Sequence, residues 1–118
     1  MIYDTIESLD HYRHIFELPE VTYETIGPQG FDGRFSAHSH YATVFLVQAG
    51  SVLVCSTYPE GAVNQERDIN GFIHLESSGI MATAKLDPSH FIFFAPYEPY
   101  ALIAEEAVRV ARLLVEVR

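Results

Sequence analysis

The chain has 118 residues, of which 48% are hydrophobic and 13% aromatic, a single-domain length and a composition that excludes disorder. Seven Lys and Arg against sixteen Asp and Glu leave a net charge of −9. That balance argues against nucleic acid and anionic membranes as partners, because both need a basic face, but a local pocket can still oppose the global sign and take a small anion. The one cysteine, Cys55, rules out an internal disulfide and a multi-cysteine metal site, and reads as a small buried hydrophobe. Met1-Ile2-Tyr3-Asp4 lacks the basic start of a signal peptide. No apolar run approaches the roughly 20 residues of a membrane span. An intracellular protein is the simplest expectation.

One amphipathic helix is expected first. Asp4 is placed to cap it, with Glu7 three residues on, and Ile6, Leu9, Tyr12 and Phe16 fall on one helical face until Pro19 ends it. Strand signals follow. The segment 21–26 is β-branched and aromatic, and Gly27, Pro28, Gly30 and Gly33 then break the chain. The apolar runs 42–48 and 52–57 read as a hairpin through Ala49-Gly50-Ser51. Residues 58–71 read as a long surface loop, and 72–76 with 80–86 as a second hairpin. The strands 91–94 and 100–104 come next. The segment 108–117 mixes helix-favouring Ala, Glu and Arg with strand-favouring Val and is read as a strand. About eight short strands with close turns imply one all-β domain, a sandwich or barrel, over residues 1–118.

The densest chemistry is Phe35-Ser36-Ala37-His38-Ser39-His40-Tyr41. On a strand, His38 and His40 would share a face, and two such imidazoles can begin a divalent metal site or move protons. The bland alternative is a pair of hydrogen-bonded or solvated rings at a strand end. His74 and Glu76 form another same-face pair that could complete the ligand set, or could equally be the wet side of a half-buried strand. Glu98 and Tyr100 sit in a loop framed by Pro96 and Pro99, where Tyr100 could meet a sugar hydroxyl or simply pack on the rim. Arg34 could fork onto a carboxylate or lie free on the surface. Arg112 shares a strand face with Leu114; turned inward, it would need a carboxylate or a ligand as partner.

Two histidines followed, ten residues after His40, by Gly50 resemble the first cupin motif, but Thr43, Val44 and Phe45 stand where its Glu belongs. The second motif is echoed at Pro88 and Pro96, with Tyr100 in place of its histidine. Three blocks resemble the YhcH/YjgK/YiaL family, which includes the β-subunit of the evolved β-galactosidase. They are Met1-Ile2-Tyr3-Asp4 through Tyr12, Ala37-His38-Ser39-His40-Tyr41 through Gly50, and Leu86-Asp87-Pro88-Ser89-His90 through Tyr100. The resemblance implies a cupin-like double-stranded β-helix, or jelly roll, with a short N-terminal helix. It further implies a cytoplasmic homodimer that handles a sugar or sugar acid, as an isomerase or epimerase with a divalent metal such as Zn.

On that basis His38, His40 and Glu98 are the expected catalytic residues. Tyr100, Arg112 and Arg34 are the expected substrate contacts, and His38, His40, His74 and Glu76 the expected metal ligands. The departures from the family pattern at Ser36, Thr43, Phe45, Tyr100 and Glu116 favour the alternative, a non-catalytic carbohydrate-binding or accessory subunit.

Overall fold

The computed structural model describes residues 1–58, 63–77 and 79–118. Its strands form two antiparallel sheets. The first runs β1 (Ile2–Thr5), β9 (His90–Phe94), β4 (Ala42–Ala49), β11 (Val108–Val115), β2 (Glu24–Ile26). The second runs β6 (Val63–Arg67), β7 (Phe72–Glu76), β3 (Arg34–His38), β10 (Tyr100–Ile103), β5 (Val52–Ser56), β8 (Ala82–Leu86).

The sheets face each other across one apolar interior. Phe45, Val47, Ile92, Phe94, Val108 and Val110 of the first sheet meet Val52, Val54, Leu86 and Tyr100 of the second. Each such side chain contributes about 1.5–3 kcal/mol on burial. Phe45 sets the geometry at the centre, with its ring edge-on to Tyr100 at 4.9 Å and to Phe94 at 6.3 Å.

The first sheet is buried on its other face as well. Val44, Leu46, Phe91, Phe93, Ala111, Leu113 and Val115 lie there beneath Ile6, Leu9, Tyr12 and Phe16. Burial on both faces explains why 42–47 and 91–94 are continuous apolar runs rather than alternating ones. On the far side of the second sheet Phe35, Cys55, Ile73 and Leu75 form a smaller cluster, so Cys55 is the buried hydrophobe its neighbours suggest.

Three expectations are corrected. The opening is not one helix: residues 2–5 pair with β9, and only Ile6–Tyr12 coil, as a 3₁₀ helix without a side-chain cap. Asp4 is diverted from capping because its carboxylate accepts the Tyr12 hydroxyl at 2.6 Å and the Thr5 N–H at 2.7 Å. The two expected hairpins are not hairpins. β4 lies in one sheet and β5 in the other, and β7 and β8 lie on opposite sides of the second sheet. Gly50 makes the first of these crossings. It has φ +90, and a Cβ there would press on Ala107 O and Val108 Cγ2 at 3.4 Å. Finally, the expected loop 58–71 contains β6, which pairs with β7; residues 59–62 of that loop lie outside the described residues. The segment 108–115 is a strand, as read. Among the described residues no helix is long and apolar enough to cross a membrane.

Candidate functional site

Strand register assembles the site. Glu66, His74, Ser36, Tyr100 and Ser56 are cross-strand partners in one row running from β6 to β5. Partners in register share a face, and Tyr100 lies in the interior, so the whole row faces inward. Arg34 and Glu76 form the next same-face pair. From the opposite sheet Arg112, paired with Phe45, points at this row; its guanidinium carbon lies 4.9 Å from the centroid of the Phe72 ring. That cation–π contact spans the two sheets and fixes the group's orientation.

Two open clefts result. One, of ≈ 310 Å³, is lined by Gln29, Phe31, Arg34, Ser36, Tyr100 and Arg112. The other, of ≈ 720 Å³, adjoins it through Arg34 and Ser36 and is lined also by Glu66, His74 and Glu76. All three expected substrate contacts, Arg34, Tyr100 and Arg112, therefore meet in one place. Gln29, Phe31 and Ser36 were not legible as site residues. Gln29 is held by a bridge to Ala104 in both backbone directions at 2.9 Å, a contact 75 positions away that no local pattern announces.

Tyr100 lines the smaller cleft. It is 4% exposed, and its hydroxyl has no hydrogen-bond partner; Ser56, its neighbour in register, is 1% exposed with a hydroxyl in the same condition. Burial raises the pKa of the phenol. The Arg112 guanidinium and the Thr43 hydroxyl approach without completing a bond of good geometry and pull the value part of the way back. The group stays a neutral O–H.

His74 is held from both sides. Its Nε2 lies 3.3 Å from Asp68 Oδ2, and its Nδ1 3.4 Å from Ser36 Oγ. A carboxylate can only accept, so Nε2 carries a proton, and in the neutral ring Nδ1 is the nitrogen that faces the Ser36 hydroxyl. Asp68 is fixed in turn by the N–H groups of Asn70 at 2.9 Å and Phe72 at 3.0 Å. Burial raises the Asp68 pKa, but His74 and those two N–H groups outweigh it, and the net value is lowered. Asp68 is a candidate site residue that sequence reading missed. Its only signal was Asp-Ile-Asn-Gly, an Asx-turn pattern immediately before a strand.

The expected histidine pair is not brought together. β3 ends at His38, and the chain turns through 39–41, so His40 leaves the strand and is exposed. His38 is 3% exposed and fully engaged. Its Nδ1 accepts the N–H groups of His40 at 3.0 Å and Tyr41 at 2.9 Å, and its Nε2 donates to Asn70 O at 2.9 Å. With both ring nitrogens engaged, His38 orders the backbone around it. Glu98 lies in the 95–98 turn, accepting from Ala95 N–H at 2.8 Å and pairing with the Met1 ammonium group at 2.7 Å. It does not line either cleft. The expected metal ligands His38, His40, His74 and Glu76 thus do not converge on a divalent ion. Among the described residues no three His, Cys, Asp or Glu side chains are grouped to hold one.

No protein-family model matches the chain, and no curated protein is similar to it at a meaningful level.

Proposed function

We propose that this chain is a cupin-type jelly-roll protein that binds a small sugar or sugar acid in the cleft between its sheets. One observation carries the reading: two guanidiniums, a phenol, a hydroxyl and an amide from distant parts of the chain line a single ≈ 310 Å³ cleft with the Phe31 ring. Polar groups converging beside an aromatic face suit a polyhydroxylated ring, and the volume suits a ligand of that size. Binding, as a carbohydrate-binding or accessory subunit, is the leading form of the proposal. The cytoplasmic location and the homodimer belong to it on the strength of the resemblance alone.

A second reading, an isomerase or epimerase, is favoured by Asp68–His74–Ser36. Such a reaction needs a base beside a C–H next to a carbonyl, and an acid to return the proton. Asp68 holds His74 with Nδ1 as the basic nitrogen, and Ser36 joins that nitrogen to the ligand cleft.

A thermal-shift panel of sugars and sugar acids tests the first reading, because a ligand that binds only the folded chain raises Tm by mass action. A shift with at least one compound, lost in Arg34→Gln/Ser36→Ala, supports it; no shift across the panel refutes it. The second reading is tested on whichever compound binds. Exchange of its carbon-bound hydrogens in heavy water should fall by about a hundredfold or more in His74→Gln. Unchanged or undetectable exchange leaves the binding role alone.

A further inference from the structure

Resting on the cleft reading, we infer that the cleft contains an oxyanion subsite, in which the exposed Arg112 and Arg34 guanidiniums, with Tyr100, hold the carboxylate or phosphoryl group of the ligand. Three independent observations meet there.

The first is charge. The chain carries −9 overall with only seven Lys and Arg, yet two of its arginines line this one cleft. The sole carboxylate of the lining among the described residues, Asp32, has Oδ1 turned to the backbone N–H of Arg34 at 3.0 Å. Among the described residues no carboxylate lies within ion-pairing distance of Arg112 or Arg34. Two guanidiniums repel a cation and attract an anion, so the lining selects the sign of its ligand.

The second is the orphaned phenol. A buried hydroxyl without a partner costs free energy unless something accepts its proton. Tyr100 Oη is such a group, on a residue that is 4% exposed and lines the cleft. Being neutral, it is a donor beside two cations, which is the arrangement a single oxyanion satisfies. A neutral ligand hydroxyl would take the phenol's proton but leave both guanidiniums unanswered.

The third is pre-organisation. Arg112 lies against the Phe72 face, and Phe45 packs edge-on against Tyr100 at 4.9 Å. Both donors are held by ring contacts before any ligand arrives, which lowers the ordering cost of binding.

The test is an NMR titration of the full chain with sodium acetate and, separately, with inorganic phosphate, each against sodium chloride at equal ionic strength. Expected are saturable shifts of the Arg112 Nε–H and Tyr100 ring resonances with at least one of the two anions. Acetate alone would identify a carboxylate ligand, and phosphate alone a phosphoryl one. Arg112→Gln should weaken the response at least about tenfold, and Tyr100→Phe, which keeps the ring, several-fold. Unchanged amide shifts at Val44 and Leu46 would show that each variant keeps its fold. Shifts no larger than those with chloride, or variants that titrate like the parent, overturn the inference. Glucose and galactose, followed at the Gln29 and Ser36 amides of the same sample, separate the two levels. If sugars move those amides while neither anion moves Arg112, the subsite is refuted and the cleft reading stands.

Discussion

His38 shows how one residue can order three segments. Its ring ties the 39–41 turn to the 68–71 loop, and its carbonyl accepts Tyr97 N–H at 2.8 Å. The His38→Ala variant removes a buried ring and leaves two part-buried N–H groups without their acceptor, and should lose about 2–4 kcal/mol in urea unfolding. The same packing makes Gly71 irreplaceable. It has φ +87, and a Cβ there would sit 2.9 Å from His38 Cε1. Gly71→Ala should therefore cost about 1–3 kcal/mol, with a measurable loss of order at Asp68, three residues away. The importance of His38 was legible from its setting, but its role was not. Spacing puts His38 and His40 on one face only if the strand continues, and nothing in Ala37-His38-Ser39-His40-Tyr41 announces that the backbone turns to use the imidazole as an acceptor. Arg112 was singled out because it shares a strand face with Leu114, whereas Tyr100 was read from its proline-framed loop and Arg34 from the chemistry of its guanidinium, neither from strand parity.

The 3₁₀ helix and the turn after it act as a cover for the first sheet. Phe16 is the principal contact, stacked on Phe93 at 5.0 Å and edge-on to Phe91 at 6.5 Å. Phe16→Ala should cost about 3–5 kcal/mol by chemical denaturation, and because the cover lies on the face away from the cleft, ligand affinity should be unchanged. At this scale the sequence shows faces better than pairings. Ile6, Leu9, Tyr12 and Phe16 were read as one apolar face, and they do pack together against the sheet. The helix type was missed because the edge of β9 offers residues 2–5 a strand partner about 90 positions away in sequence. The same long-range pairing defeated both hairpin readings. Short Gly and Ser turns between apolar runs look alike whether the chain folds back in its own sheet or crosses to the next.

Acid sensitivity belongs to the whole molecule. Asp4 is lowered from 3.8 by the Tyr12 hydroxyl and the Thr5 N–H, and Asp87 by the hydroxyl and N–H of Ser89. Glu17 is lowered from 4.5 by Arg118, and Asp68 is lowered as described. Carboxyls depressed in the folded state stabilise it above their unfolded values and lose that contribution as pH falls through the folded ones. The urea midpoint should therefore hold down to about pH 5 and drop below about pH 4, with Asp4→Asn and Asp87→Asn each flattening the drop. Near neutrality the charge of −9 repels itself, so about 0.5 M sodium chloride should raise Tm by screening.

The placement of β11 carries a consequence for how the molecule comes into being. This strand lies between β4 and β2, inside the first sheet, although it is the last of that sheet's strands to leave the ribosome. Until it emerges, β2 has no neighbour and β4 shows a bare edge, and β1 must likewise wait for β9. Nascent chains are thus exposed to misassembly for most of their synthesis. Stopped-flow refolding should be slow, in the millisecond-to-second range expected for distant strand pairing.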